Sequence, residues 1–88
     1  MPDGFEAVYR DHARAVHGYL VRMTGDPWTA DELCQETFVR YLRHQRSLHG
    51  ANGSLPTWLF RVATNLVLDA RRRRRLDPLA VEPAGSGP

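Results

Sequence analysis

Eighty-eight residues carry one hydrophobic core and not two, and a hydrophobic content of 42% suffices for a small packed unit. A single cysteine excludes an internal disulfide, no Cys/His spacing matches a zinc site, and no apolar run is long enough for a membrane span. The net charge of +2 hides a segregation: residues 1–36 hold seven acids against three arginines, whereas residues 37–76 hold nine arginines against Asp69 alone.

Segregation on this scale points to a basic face for a polyanion and an acidic face for something else. All twelve cationic side chains are Arg. That fits recognition of phosphates and bases by a planar fork, and it equally fits an arginine-favouring genome. The N-terminus MPDGFEAVYR lacks the basic-then-apolar order of a signal peptide, so a cytoplasmic location is the default expectation.

Residues 4–24 are predicted as the first helix, with Phe5, Val8, Tyr9, Val16, Tyr19 or Leu20, and Met23 on its apolar side and His12 and Ala13 bridging. Glu6–Arg10 and Asp11–Arg14 have the spacing of weak surface ion pairs. Thr24-Gly25-Asp26-Pro27 stops one helix and starts the next: Gly25 suits a left-handed residue, Asp26 an N-cap and Pro27 the first helical position. Thr29 with Glu32 has the spacing of a second capping box. So short a link makes the first two helices antiparallel neighbours.

The second helix is predicted over 27–45, burying Ala30, Leu33, Cys34, Thr37, Phe38, Tyr41 and Leu42. Cys34 reads as a small core residue. The other side starts acidic (Asp31, Glu32, Gln35, Glu36) and turns basic at Arg40, Arg43 and Arg46, which also suits the helix dipole. Arg46 to Ser54 is predicted as a loop, pinned at its ends by Leu48 and Leu55, with small side chains between that would let another molecule approach its backbone.

The third helix is predicted over 55–75, with Ser54 as N-cap and Pro56 near its start. Leu59, Val62, Ala63, Leu66 and Ala70 form its buried stripe. Trp58, Arg61, Thr64, Asn65, Leu68 and Asp69 lie opposite, and Arg71–Arg75 end it. Cations for phosphates, amides for base edges and an aromatic for stacking are what a nucleic-acid-facing helix needs. Residues 77–88, DPLAVEPAGSGP, read as a linker or frayed end, leaving 1–76 as the helical domain.

Phe5…Tyr9…Tyr19-Leu20…Gly25-Asp26, ADELCQETF at 30–38, WLFRVATN at 58–65, Asp69 and the arginine run together resemble conserved region 2 of bacterial sigma factors. The likeness is strongest to the extracytoplasmic-function (ECF) group and covers roughly residues 5–75. It implies an all-α fold, a small three-helix bundle with a structured loop before the last helix. It also implies two surfaces. The second helix would dock on the clamp helices of the largest subunit of the RNA polymerase core through Asp31, Glu32, Gln35, Glu36 and Val39. The third helix and its leading loop would recognise the promoter −10 element and stabilise the melted non-template strand.

For that second task His49, Asn52, Gly53 and Ser54 are the candidate base pocket and Trp58 the candidate stacking platform. Arg61 and Asn65 are candidates for a phosphate and a base edge, and Arg71, Arg72 and Arg74 for further phosphates. An anti-sigma factor is a possible further partner; no cofactor, metal or membrane contact is expected. The family pattern continues into a second helical domain, region 4, so the expectation is an excised domain. The short helix that often precedes the first one is missing or reduced. No nucleophile–base pair or carboxylate dyad is present, so no enzyme is expected. Two rivals remain open: a module that binds polymerase or an anti-sigma factor without reading DNA, and a nonspecific nucleic-acid binder driven by the arginine run.

Overall fold

The computed structural model describes residues 2–48 and 54–76. Three helices occupy them: α1 (Pro2–Thr24), α2 (Pro27–Leu48) and α3 (Leu55–Leu76), each packed on the other two. The expected all-α bundle is what forms. Helix α2 runs three residues past its expected end, so residues 46–48 are helical and not loop. The remainder of the expected loop, residues 49–53, lies outside the described residues, as does the 77–88 tail.

The turn between α1 and α2 follows from its four residues. Gly25 takes φ of 70°, which only a residue without Cβ adopts cheaply, and its N–H donates to the Val21 carbonyl at 2.7 Å. One Asp26 carboxylate oxygen then accepts from the Trp28 N–H at 3.1 Å, and the other accepts from the Thr29 hydroxyl at 2.7 Å. This commits Thr29 to the cap at Asp26, so the second capping box expected at Thr29 and Glu32 does not form. At α3, Ser54 Oγ accepts the Thr57 N–H at 3.2 Å, the cap read from sequence.

The core is built from Val16 and Leu20 of α1, Ala30, Cys34, Phe38 and Tyr41 of α2, and Leu59, Ala63 and Val67 of α3. Thr37 is buried with them, and its hydroxyl donates to the Leu33 carbonyl at 2.8 Å, so no lone polar group is stranded. Cys34 is buried; desolvation, and secondarily the Asp31 carboxylate, push its thiol up, in keeping with a core role. Four apolar assignments differ from expectation. Leu42 stands 48% exposed, and Val67, absent from the expected stripe, is 1% exposed, while Val62 and Ala70 are only half-buried. A helix wedged between two partners buries a broader arc than one stripe, and its centre here falls on Leu59–Ala63–Val67. The surface pairing also shifts: Arg10 lies 3.8 Å from Asp11, its sequence neighbour, instead of pairing with Glu6.

The Asp26 cap generates a pH prediction. Hydrogen bonds from the Thr29 side chain and then from the Trp28 N–H hold its carboxyl below the ordinary value. The stabilisation is therefore complete above pH ~4 and lost as pH falls through the depressed folded-state value. Asp26→Ala is expected to lower the thermal midpoint at pH 7 and to flatten its fall between pH 4 and pH 2, as read by circular dichroism melts. Parallel melting curves for both proteins across that range would remove Asp26 from the account.

Candidate nucleic-acid and protein interfaces

Burial of Leu59, Ala63, Leu66 and Val67 sets the rotation of α3 and so decides what it shows to solvent. A hydrogen bond reinforces that rotation: the Tyr19 and Thr64 hydroxyls meet at 2.6 Å, while the Tyr19 ring packs edge-on against Phe60 at 5.1 Å. The Thr64 hydroxyl also donates to the Phe60 carbonyl 2.8 Å away. Thr64, expected on the outer side, thus faces α1. What remains outside is a stripe of Arg61, Asn65, Leu68, Arg72 and Arg75, spaced by three or four residues and exposed throughout. Arg61 and Asn65 make no hydrogen bond or ion pair among the described residues, so their donors and acceptors are free for a ligand. Leu68, 51% exposed between Asn65 and Arg72, is an apolar member of this face that the sequence reading noted but gave no role.

Trp58 differs from the free aromatic that a stacking platform suggests. It is half-buried against the core, with its ring 6.3 Å from Tyr41 and 6.2 Å from His44, which is itself held by a ring-nitrogen contact to the Arg40 carbonyl. Only part of the indole is left for a base. Ser54 is exposed but its hydroxyl is occupied by the cap and by Thr57 at 2.6 Å. His49, Asn52 and Gly53 lie outside the described residues.

The arginine run is not five equivalent charges. Arg71 donates to the Met23 carbonyl at 2.6 Å, strapping the end of α3 to the last turn of α1. Arg72 pairs with Asp69 at 3.2 Å. Arg74, with Arg71, lines a cavity of about 200 Å³ floored by Met23, Val67 and Ala70, and its charge helps lower the Asp26 carboxyl. Arg73 and Arg75 carry no hydrogen bond or ion pair among the described residues and are the more available cations. The candidates named with the sigma resemblance are Arg71, Arg72 and Arg74.

On α2 the outward side is acidic in its first half. Asp31, Glu32 and Gln35 are exposed, with the Gln35 amide donating to Asp31 at 2.9 Å. Glu36 is half-buried and paired with Arg40 at 3.1 Å. Val39 is 40% exposed, and Leu42, one turn on, continues the same face. The two candidate surfaces are therefore on different helices and differ in sign, with α2 acidic and α3 basic.

Residues 8–76 match the model of sigma-70 region 2. The chain belongs to that family. ECF RNA polymerase sigma factor SigL of Mycobacterium tuberculosis is 36% identical over 69 residues, 78% of this chain and 39% of the relative. ECF RNA polymerase sigma factor SigE of Mycolicibacterium smegmatis is 40% identical over 74 residues, 84% of this chain and 28% of the relative. RNA polymerase sigma factor YlaC of Bacillus subtilis is 35% identical over 71 residues, 81% of this chain and 40% of the relative. The chain thus spans two-fifths or less of the length of these relatives. The ECF resemblance carried by ADELCQETF and WLFRVATN is borne out.

Within this region 2 domain Arg71 acts first as a strap. Its charge-assisted bond to a carbonyl at the surface contributes on the order of 1 kcal/mol. Arg71→Ala is expected to lower the thermal midpoint by a few degrees and to speed amide exchange around Gly25, whereas Arg73→Ala changes neither. Equal effects of the two substitutions would mean that the strap carries no energy.

Proposed function

We propose that this domain serves in transcription initiation as the part of an ECF sigma factor that recognises the promoter −10 element and docks on the RNA polymerase clamp. It is a binding module without catalysis. The reading is carried chiefly by the outward stripe of α3, where Arg61 and Asn65 project one turn apart with no hydrogen bond or ion pair among the described residues. A guanidinium there can meet a phosphate, while the amide presents a donor and an acceptor together, the pair needed against an adenine edge. The relatives' names, RNA polymerase sigma factors, support the same direction.

Extruding a base costs a few kcal/mol of lost stacking, which a pocket must offset. In this proposal the segment 49–54 forms the pocket, the free edge of Trp58 covers the neighbouring base, and Arg73 and Arg75, with Arg72 when it releases Asp69, track the phosphates. The acidic half of α2, Asp31, Glu32, Gln35 and Glu36 with Val39 beside them, meets a basic coiled coil of the polymerase clamp. In this reading residues 1–76 are the helical domain and 77–88, outside the described residues, are the linker that their composition suggests.

Two experiments test the two surfaces. Non-template single strands carrying variant −10 sequences are expected to differ in affinity, and Asn65→Ala should erase about 1–3 kcal/mol of that difference at one base position. Contact with about four phosphates gives a log–log salt slope of roughly −3 on a single strand, the discrimination persisting at each salt concentration. Equal weak binding of all strands, indifferent to Asn65, would leave a module that engages proteins only. Separately, charge reversal at Asp31 and Glu36 is expected to abolish binding to core polymerase while DNA affinity persists. Simultaneous loss of both, with lost helicity, would indicate unfolding and not an interface.

A further inference from the structure

The most exposed large apolar side chain among the described residues is Trp28, 83% accessible in the first turn of α2. Nothing in the packing of the bundle explains it. Its backbone N–H is used by the Asp26 cap, but its indole joins neither the core nor the aromatic residues that pack around it. An isolated exposed leucine is ordinary; a tryptophan left almost wholly in water at the start of a rigid helix is not, because its large apolar face gains most from being covered.

Its position on α2 says which way it points. Trp28, Gln35 and Leu42 are spaced by seven, and Asp31, Glu32 and Val39 fill the intervals at three or four. All six residues are exposed, so they form one continuous strip along the solvent side of α2. Between Trp28 and Leu42 the strip is about 21 Å long. A seven-residue interval is the repeat at which a neighbouring helix, laid nearly parallel, keeps contact over several turns. The strip is apolar at Trp28, acidic and polar at Asp31, Glu32 and Gln35, then apolar again at Val39 and Leu42.

We propose that Trp28 is an anchor of the polymerase-docking surface, extending it by one turn beyond the acidic residues toward the α1–α2 turn. This rests on the clamp-docking reading above and adds to it the order of chemistry along the partner. The partner helix would carry an apolar or small-residue pocket for the indole, then basic side chains opposite Asp31 and Glu32, then a second apolar stretch opposite Val39 and Leu42. Tryptophan is the residue type most enriched among interface hot spots, where a rigid indole fills a pocket ringed by polar contacts. The acids here form that polar neighbourhood and set the orientation of the partner.

The test uses the 88-residue chain with both tryptophans labelled as 5-fluorotryptophan, core RNA polymerase as the probe, and Trp28→Phe to assign the two fluorine signals. The Trp28 signal is expected to shift and broaden on addition of core polymerase and to stay in place on addition of −10 single strands. In parallel, Trp28→Ala should weaken core binding by at least about tenfold with helicity unchanged, and Trp28→Phe by less. Charge reversal at Asp31 and Glu36 runs beside them. If those reversals abolish binding while Trp28→Ala binds as the parent does, the docking reading stands and the anchor is overturned. Should neither the reversals nor Trp28→Ala matter, both fall together. A Trp28 signal that responds to DNA and not to polymerase also overturns the anchor.

Discussion

Rotation of α3 about its own axis is the constraint on which the rest depends. A helix whose Leu59, Ala63 and Val67 enter a shared core has only one arc left for solvent, and that arc is occupied by Arg61, Asn65, Leu68 and Arg72. Hydrophobic burial alone would tolerate a turn of some tens of degrees, because an apolar surface is non-directional. The hydroxyl contact between Tyr19 and Thr64 is directional, and Thr64 is the immediate neighbour of Asn65. Fixing one side chain of the pair at 2.6 Å fixes the bearing of the other. The bearing of Asn65, the residue proposed to read a base, is thus set by a hydrogen bond made by its neighbour on another side of the helix.

Electrostatics follows the same logic of prior commitment. Composition suggests a basic end with five interchangeable guanidinium groups. In the folded chain Arg71 is tied to Met23, Arg72 to Asp69, and Arg74 sits by the cavity next to Asp26. The Arg71 and Arg74 contacts hold the last turns of α3 against the α1–α2 corner, while the Arg72–Asp69 pair offsets part of the charge repulsion within the helix itself. The run therefore contributes partly to its own order and partly to the field beyond it. At physiological salt that field extends about 8 Å, so only a ligand near contact distance experiences it.

Much of this was legible in the chain. Gly25-Asp26-Pro27 and Ser54 announced their caps because each is a local event, decided by residues within four positions of one another. The three helices, the burial of Phe38 and the outward bearing of Arg61 and Asn65 followed from period alone. What failed depended on a third body. Leu42 and Tyr41 are adjacent and both apolar, and only the placement of α1 and α3 puts Tyr41 inside and Leu42 out. Thr64 was read as outward because nothing in sequence links it to Tyr19, 45 residues earlier. The Met23 partner of Arg71 and the charge effect of Arg74 on Asp26 are likewise long-range, and α2 outran its expected end because residues 46–48 carry no breaker before Gly50.

Trp58 shows how far packing and recognition can share one side chain. Its indole bridges the end of α2, through Tyr41 and His44, to the beginning of α3. The ring proposed to cover an unpaired base therefore also sets the distance between the two helices that carry the candidate surfaces. Removing it opens a gap at that junction whether or not a base ever stacks there, so lost DNA binding in such a variant has two sufficient causes. Asn65 has one. Its amide is exposed and makes no hydrogen bond among the described residues, so its removal is expected to leave the bundle intact. The exposed residue with no hydrogen bond among the described residues is thus the sharper test of the proposed recognition, and the half-buried aromatic the sharper test of how α2 and α3 are held together.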